Sequence, residues 1–226
     1  MVTEQAQPWV GFWLIRGVLI GIVFLMIAGS ACRQAPNVFL FGSMNNTRLT
    51  SHPAAARWAE PVEAQGLPNL YQVSDNLYRG ARPTTEGIQH LRMLGIRTVV
   101  NLEQSNGEQT RVTGAGLAYE HIPMTALFLH DDDVAHFLRV VGDLANAPIF
   151  VHCKRGADRT GLMCAVYRIA VQGWTKDDAL AEMTQGGFRF NYGYQNIVNY
   201  IRDLDVDQLR ERAALTPKLS LNPTLN

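Results

Sequence analysis

The stretch from residue 149 to residue 161, IFVHCKRGADRTG, constrains the fold more than any other part of the chain. It begins with the apolar run of a buried strand, continues through a polar turn around Gly156, and ends as the start of a helix. Backbone N–H groups in a turn that opens a helix bind anions such as phosphate, and glycine lets the backbone approach closely. The stretch therefore predicts an anion site between a strand and a helix.

Alternating strand and helix patterns cover most of the chain. Strands are indicated at Leu77 and Tyr78 and at residues 96–102, 117–122 and 149–152. Helices are indicated at residues 84–94, 131–144, 160–171, 176–185 and 195–204, the last with a continuation to residue 214. This alternation predicts one layered α/β domain at residues 69–215, followed by a tail at residues 216–226.

The amino-terminal end has the composition of a targeting segment. Residues 9–31 are apolar except for Arg16 and Ser30, which is typical of a signal peptide or a membrane anchor. We predict a hydrophobic helix in residues 1–32 that contacts a membrane through residues 9–31, and a linker at residues 33–68. Cleavage, lipidation at Cys32 and retention of the segment all stay open. Each version exports the folded domain, which in a bacterium means a place in the cell envelope, either anchored to the inner membrane and facing the periplasm or secreted to the periplasm.

Charge and cysteine content exclude two classes of protein. Lys plus Arg and Asp plus Glu each total 20, so no overall positive field attracts nucleic acid. The three cysteines, Cys32, Cys153 and Cys164, are too few and too dispersed for a disulfide framework. Cys164 lies in an apolar run and is predicted to be a small buried core residue.

Cys153 and Arg159 combine a nucleophile with an anion clamp. A helix amino terminus and neighbouring cations favour a cysteine thiolate, the nucleophilic form. Arg159 can donate a planar fork of hydrogen bonds to two phosphate oxygens. Thr160 is predicted to hydrogen-bond the Cys153 sulfur, and His152 to orient the turn from behind. The predicted phosphate-binding residues are Cys153, Lys154, Arg155, Gly156, Ala157, Asp158 and Arg159.

The cysteine, the arginine six residues later and the Thr160-Gly161 pair resemble the signature of the protein tyrosine and dual-specificity phosphatase superfamily. Through residues 77–80, 95–100 and 186–188, the chain also resembles exported bacterial dual-specificity phosphatases. The resemblance implies a central, mostly parallel sheet of about four to five strands flanked by helices. It implies phosphomonoester hydrolysis through a cysteinyl-phosphate on Cys153, without metal or cofactor. The implied substrate is phosphotyrosine in proteins, with phosphoserine and phosphothreonine as further substrates.

Such phosphatases usually protonate the leaving oxygen with an aspartate from a separate loop, and its identity in this chain stays open. Residues 124–130, where the resemblance places that loop, contain no carboxylate. Asp131, Asp132 and Asp133 come next, and Asp131 is the first choice. An acidic first turn also complements the dipole of the following helix, which is the structural alternative for all three.

Asp158 and His130 are the second and third choices for this acid. An Asp-Arg-Thr run at this point also occurs in some phosphoinositide phosphatases, and histidine titrates near neutrality. Lys154 and Arg155 carry more positive charge than one phosphate needs, which favours an inositol phosphate or phosphoinositide as the alternative substrate. A further alternative is a pseudophosphatase, which binds a phosphate group but does not catalyse its hydrolysis.

Overall fold

The computed structural model describes residues 58–215, in which six strands form one sheet. The strands are β1 (Glu60–Pro61), β2 (Tyr71–Ser74), β3 (Leu77–Ala81), β4 (Thr98–Asn101), β5 (Ala118–His121) and β6 (Ile149–Cys153). Their order across the sheet is β1-β2-β3-β6-β4-β5. The central strand β6 runs parallel to β3 and β4, and β5 runs parallel to β4, whereas β2 is antiparallel to β1 and β3. The mostly parallel sheet is confirmed, with six strands instead of four to five.

Seven α-helices cover the sheet within the described residues. They are α1 (Thr85–Met93), α2 (Gln109–Gly114), α3 (Asp131–Gly142), α4 (Asp158–Ala170), α5 (Lys176–Gln185), α6 (Gln195–Asp203) and α7 (Val206–Arg212). Local sequence sets where three of them begin, because the side chains of Thr84, Thr175 and Asp205 each accept a backbone N–H from the first turn. The predicted helices are confirmed, with ends that differ by a few residues. The predicted continuation of the helix at residues 195–204 is instead a separate helix, α7, because the chain leaves the helical conformation at Leu204 and Asp205 caps a new start.

The sequence does not predict β1, β2 or α2, because these elements are short and lack a continuous apolar pattern. β1 has two residues, one of them a proline, and β2 buries only Val73. α2 buries only Val112 and has no side-chain cap. Pairing with neighbouring elements forms them instead. β1 and the buried Leu67 lie in the stretch that the sequence assigns to a linker, and both pack on the domain.

Both faces of the central strands are buried because helices cover both sides of the sheet. Val100 and Val151 face the cluster that contains α3, α4, α5, α6 and α7. Val99 and Phe150 face the cluster that contains α1 and α2. Every residue of β4 and β6 is buried, including the polar Thr98, Asn101 and His152. The carboxyl end of β6 is therefore fixed between two packed layers.

A buried ion pair joins α4 to α5. Arg168 donates from Nε to Glu182 Oε2 at 2.8 Å and from Nη2 to Glu182 Oε1 at 2.6 Å. The backbone N–H of Ala59 donates to the same Oε1 at 2.7 Å, and the Arg168 guanidinium lies 4.1 Å from the ring centroid of Trp174. Removal of Glu182 would take away the carboxylate that accepts two hydrogen bonds from the buried Arg168 guanidinium.

Several predictions fall outside the described residues: the amino-terminal helix, the membrane contact through residues 9–31, lipidation at Cys32 and the tail at residues 216–226. Among residues 58–215, no helix combines the length and apolarity needed to cross a membrane.

Glu182→Ala is expected to lower the free energy of unfolding by about 3–5 kcal/mol, because it leaves Arg168 charged and buried without its carboxylate. Asp207→Ala is the matched control, since it removes the exposed partner of Arg210 on α7, and it should cost less than about 1 kcal/mol. Urea denaturation followed by circular dichroism measures both losses. Equal losses in the two variants would contradict the stabilising role of the buried pair.

Candidate active site

The turn after β6 lies where the carboxyl ends of three parallel strands meet. Ala81 of β3 is in register with Cys153, and Asn101 of β4 is in register with His152. Residues 153–159, called the Cys153 loop below, connect β6 to the first residues of α4. The predicted strand, turn and helix are confirmed, and the Cys153 loop lies at the amino terminus of α4.

Cys153 and Arg159 line one cavity of about 530 Å³. The thiol lies at its base, since Cys153 is only 3% exposed. The loop residues Lys154, Arg155 and Asp158 also line the cavity, and the other lining residues come from three separate segments: Gln104, Met124, Thr125, Ala126, Leu127, Asn191 and Tyr194. The predicted nucleophile and clamp are therefore brought together in a space that accepts a small anion with a larger group attached.

Two backbone carbonyls hold the Arg159 side chain. Its Nη1 donates to the carbonyl oxygens of Leu102 at 3.0 Å and Met124 at 3.3 Å. Among residues 58–215, these are the hydrogen bonds that the guanidinium makes. Its Nε and Nη2 edge is left to donate a fork of hydrogen bonds to two oxygens of an anion.

Gly156 lets the Cys153 loop pack directly on β3. Its φ is 66°, and a Cβ atom at this position would lie 2.3 Å from the carbonyl carbon of Gly80 and 2.5 Å from the nitrogen of Ala81. Any side chain would push the loop off the strand, and the left-handed conformation also favours glycine. The close approach that this structure shows is to β3, and the close approach of Gly156 to a bound phosphate stays a prediction.

His152 is fully buried behind the loop, next to a carboxylate that the sequence did not reveal. Its Nε2 lies 2.6 Å from Oε1 of the buried Glu108, without the alignment of a hydrogen bond. The imidazole also stacks on the ring of Phe150, with centroids 5.5 Å apart. Glu108 precedes α2, far from His152 in sequence, so no local pattern identifies the pair.

The hydroxyl of Thr160 is fully buried and has no hydrogen-bond partner among the described residues. The predicted hydrogen bond from Thr160 to the Cys153 sulfur is therefore absent from this structure. A buried hydroxyl without a partner can donate a hydrogen bond to a group that becomes an acceptor during a reaction.

Asp158 braces the Cys153 loop. Its Oδ2 accepts from Arg155 Nη2 at 2.7 Å, and its Oδ1 accepts from the backbone N–H of Asn191 at 2.8 Å. Arg155 is exposed at the rim, as is Lys154. The carboxylate thus lies in the cavity of Cys153 but is already bound on both oxygens.

Asp131, Asp132, Asp133 and His130 are not brought to the cavity of Cys153. Asp131 accepts a hydrogen bond from the Tyr200 hydroxyl at 2.8 Å and lines a different cavity. Asp132 pairs with Arg212 at 2.7 Å. Asp133 shares their turn of α3, and His130 is exposed just before it. Their positions agree with the alternative that the three aspartates stabilise the dipole of α3, and they do not support Asp131 as the proton donor.

Glu103 and Arg82 form an ion pair near the cavity that the sequence did not reveal. Arg82 donates from Nε to Glu103 Oε1 at 2.7 Å, and from Nη2 to Oε2. Burial raises the pKa of the Glu103 carboxyl, but the hydrogen bond and the charge of Arg82 outweigh it and hold this pKa below its ordinary value. Glu103 is therefore charged at neutral pH and does not serve as a proton donor.

Comparisons with known proteins find relatives over most of the chain. The family model described as DSP-PTPase phosphatase fused to NAD+ kinase matches residues 51–195. The dual specificity protein phosphatase TpbA of Pseudomonas aeruginosa is 36% identical over 178 residues, which cover 76% of this chain and 78% of TpbA. The crystal structure of TpbA matches with a TM-score of 0.63 at 36% identity, over 71% of this chain and 98% of that chain.

Two further matches name ligands or substrates. A crystal structure of a TpbA variant in complex with pTyr matches with a TM-score of 0.63 at 34% identity, over 73% of this chain and all of that chain. The inositol diphosphatase DSP5 of Arabidopsis thaliana is 30% identical over 155 residues, which cover 64% of this chain and 73% of that protein. By their names, these similar proteins bind or act on two chemically different classes of phosphate compound.

Iodoacetamide is expected to modify Cys153 much faster than Cys164 in the folded chain. Cys153 lines a cavity at the amino terminus of α4, whereas Cys164 lies inside α4, where burial raises the pKa of its thiol to about 11. Peptide mass spectrometry after labelling at neutral pH measures both rates. Labelling in urea is the control and should make the two rates similar. Equal rates in the folded protein would contradict the prediction that Cys153 is the more accessible and more reactive thiol.

Proposed function

The chain belongs to the DSP-PTPase family of phosphatases and hydrolyses phosphomonoesters, and we propose that it dephosphorylates phosphotyrosine in proteins through a covalent intermediate on Cys153. The observation that carries the proposal is that Cys153 lies at the base of a cavity, at the amino terminus of α4, beside the held guanidinium of Arg159. Phosphoserine and phosphothreonine are proposed as further substrates.

In the first step, the Cys153 thiolate attacks phosphorus. A sulfur–phosphorus bond forms while the bond from phosphorus to the ester oxygen breaks, and the leaving oxygen takes a proton from an acid. Arg159 suits this step because the edge of its guanidinium can donate to two equatorial oxygens as negative charge spreads over them. The N–H groups of the Cys153 loop add donors to the same oxygens.

In the second step, water attacks phosphorus and the Cys153 thiolate leaves as the sulfur–phosphorus bond breaks. The deprotonated acid takes the proton of the attacking water, which restores the enzyme. We propose that the Thr160 hydroxyl donates to the departing sulfur. Its burial without a partner supports this role, since a hydrogen bond formed in the reaction would satisfy it.

We propose Asp158 as the acid in place of Asp131. Asp158 is the one carboxylate, among the described residues, that lines the cavity of Cys153. To act as the acid, Asp158 must take up a proton from solvent before the first step and must exchange one of its two partners for the leaving oxygen. Arg155 is the partner that can move, because 58% of its side chain is exposed.

Asp158→Asn is expected to lower kcat on phenyl phosphate by about 10²- to 10⁴-fold, because the phenolate leaves without a proton. The loss should be much smaller on p-nitrophenyl phosphate, whose leaving group needs little protonation. Asp131→Asn is the matched control, since it removes an equal charge outside the cavity. Steady-state hydrolysis of both substrates is measured for all variants with a chelator present. If only Asp131→Asn lowers kcat more on phenyl phosphate than on p-nitrophenyl phosphate, then Asp131 is the acid.

Cys153→Ser is the reference for the same assay. Its hydrolysis should fall to background, because a serine hydroxyl is not ionised at neutral pH and the proposed mechanism has no adjacent base. A wild-type chain that is inert but still binds phosphopeptide would support the pseudophosphatase instead.

An apolar turn at the cavity supports a protein substrate. The side chains of Leu127 and Phe128 are 65% and 71% exposed, and Leu127 lines the cavity. The turn is held in place, because Phe128 N donates to Thr125 Oγ1 at 3.1 Å and Asn196 Nδ2 donates to Ala126 O at 2.7 Å. Exposed apolar side chains on a fixed turn suit the tyrosine ring and the residues beside it better than a polyanionic ring.

An inositol phosphate is the second candidate substrate, because cations also line the cavity. Lys154 and Arg155 are exposed and can contact a second phosphate group on the same molecule. The name of the Arabidopsis relative DSP5, an inositol diphosphatase, agrees with this alternative. The apolar turn and the TpbA complex with pTyr favour the protein substrate.

Phe128→Ser and Lys154→Ala should separate the two substrates. If phosphotyrosine is the substrate, Phe128→Ser should raise KM for a phosphotyrosine peptide by roughly 3- to 10-fold through lost apolar contact. Lys154→Ala should then raise KM for the same peptide by a smaller factor. Initial rates on that peptide and on inositol hexakisphosphate are compared for wild type and both variants. Turnover of the inositol compound alone, weakened by Lys154→Ala, would replace the first candidate with the second.

A further inference from the structure

Two side chains bind the carbonyl groups of the Cys153 loop from behind. Nδ2 of Asn69 donates to Arg155 O at 3.1 Å and to Gly156 O at 3.2 Å. Nη2 of Arg79 donates to Gly156 O at 2.8 Å and to Ala157 O at 3.4 Å. Neither Asn69 nor Arg79 is among the described residues that line the cavity of Cys153. Three successive carbonyls of the loop are therefore held from outside the site.

A held carbonyl also fixes the direction of the next N–H group. The peptide unit is planar and trans, so the C=O of one residue and the N–H of the next point in opposite directions. The carbonyls of Arg155, Gly156 and Ala157 point toward Asn69 and Arg79. The N–H groups of Gly156, Ala157 and Asp158 consequently point away from those side chains, toward the site, where they can donate to an anion.

The peptide between Arg155 and Gly156 depends most on Asn69. Arg79 reaches the next two carbonyls, but within residues 58–215 Asn69 is the one side chain that donates to Arg155 O. Gly156 accepts φ of either sign, so this peptide can rotate at lower cost than its neighbours. After such a rotation, the partial negative charge of Arg155 O would face the anion.

Asn69 is held in a conformation that few other residues adopt. Its φ is 57°, in the left-handed region that asparagine tolerates better than most non-glycine residues. The same Nδ2 also reaches Phe188 O at 3.2 Å, and the ring of Phe188 lies 3.8 Å below the guanidinium of Arg79. Asn69, Arg79 and Phe188 thus form one framework behind the loop.

We propose that Asn69 is a positioning residue of the phosphate site, which holds the Arg155 carbonyl outward and thereby keeps the N–H of Gly156 directed at the bound phosphate. The inference rests on the proposed function to the extent that the Cys153 loop binds a phosphate group. Asn69 acts through the loop and does not touch the substrate. Loss of its amide should therefore weaken phosphate binding while the nucleophile and Arg159 stay in place.

Three variants of the full-length chain test this role. Asn69→Gly removes the side chain and keeps a residue that accepts the positive φ. Asn69→Asp keeps the size but loses both N–H donors. Tyr71→Phe is the matched control, because it removes a nearby hydroxyl that binds Gly187 O at 3.5 Å, outside the loop. Calorimetry of inorganic phosphate binding, kinetics on p-nitrophenyl phosphate and the melting temperature are measured for each.

Both Asn69 variants are expected to raise the dissociation constant for phosphate, and KM with it, by about 10- to 100-fold. This is less than the loss of a direct oxyanion donor would cause, because the loop amides are misdirected and not removed. Asn69→Asp should be the weaker binder of the two, since its carboxylate repels the loop carbonyls. Tyr71→Phe should bind phosphate like wild type, and the melting temperature of Asn69→Gly should change little.

Equal phosphate dissociation constants in wild type and Asn69→Gly would overturn the proposal. An equal loss of binding in Tyr71→Phe would overturn it as well, because the effect would then not be specific to the loop. If Asn69→Gly fails to fold, the same binding constant for Asn69→Asp decides the question. A wild type that binds phosphate but hydrolyses no phosphomonoester would contradict the proposed function and would leave the role of Asn69 unaffected.

Discussion

A buried arginine determines how the Cys153 loop is built. Arg79 on β3 is 1% exposed, and a cation in the interior needs compensating oxygen atoms or a π face because desolvation is costly. It finds the carbonyls of Gly156 and Ala157 on one side and the ring of Phe188 on the other. Compensation of this charge turns the loop carbonyls away from the cavity. The proposed anion site lies on the opposite side of the loop.

The parallel sheet supplies the geometry that this contact needs. The carboxyl ends of β3, β6 and β4 lie at one edge, so the loop after β6 meets residues that end or follow the other two strands. Gly156 rests against Gly80 of β3, and Leu102 after β4 offers its carbonyl to Arg159. The proposed nucleophile and the proposed clamp are therefore positioned by three strands and one helix.

The mouth of the cavity combines two kinds of surface. Leu127 and Phe128 offer apolar contact from a turn that is tied to α6 through Asn196, while Lys154 and Arg155 offer positive charge. Because the whole chain has a net charge of zero, electrostatic attraction of a substrate is local to this rim. In the proposed function, the balance between these two surfaces determines which phosphate compound binds best.

The sequence by itself determined those features of this protein that depend on residues close together in the chain. Apolar periodicity was sufficient for the α/β class and for the elements that face the core, but not for β1, β2 and α2, which depend on their neighbours. Cys153 and Arg159 are six residues apart on one strand-turn-helix segment, so a local pattern is sufficient to identify both. Only the tertiary structure decided that Asn69 holds Arg155, that His152 meets Glu108, and that Asp131 bonds Tyr200 instead of joining Cys153. These pairs are distant in the chain, and their contacts depend on strand order and helix packing, which no local pattern encodes.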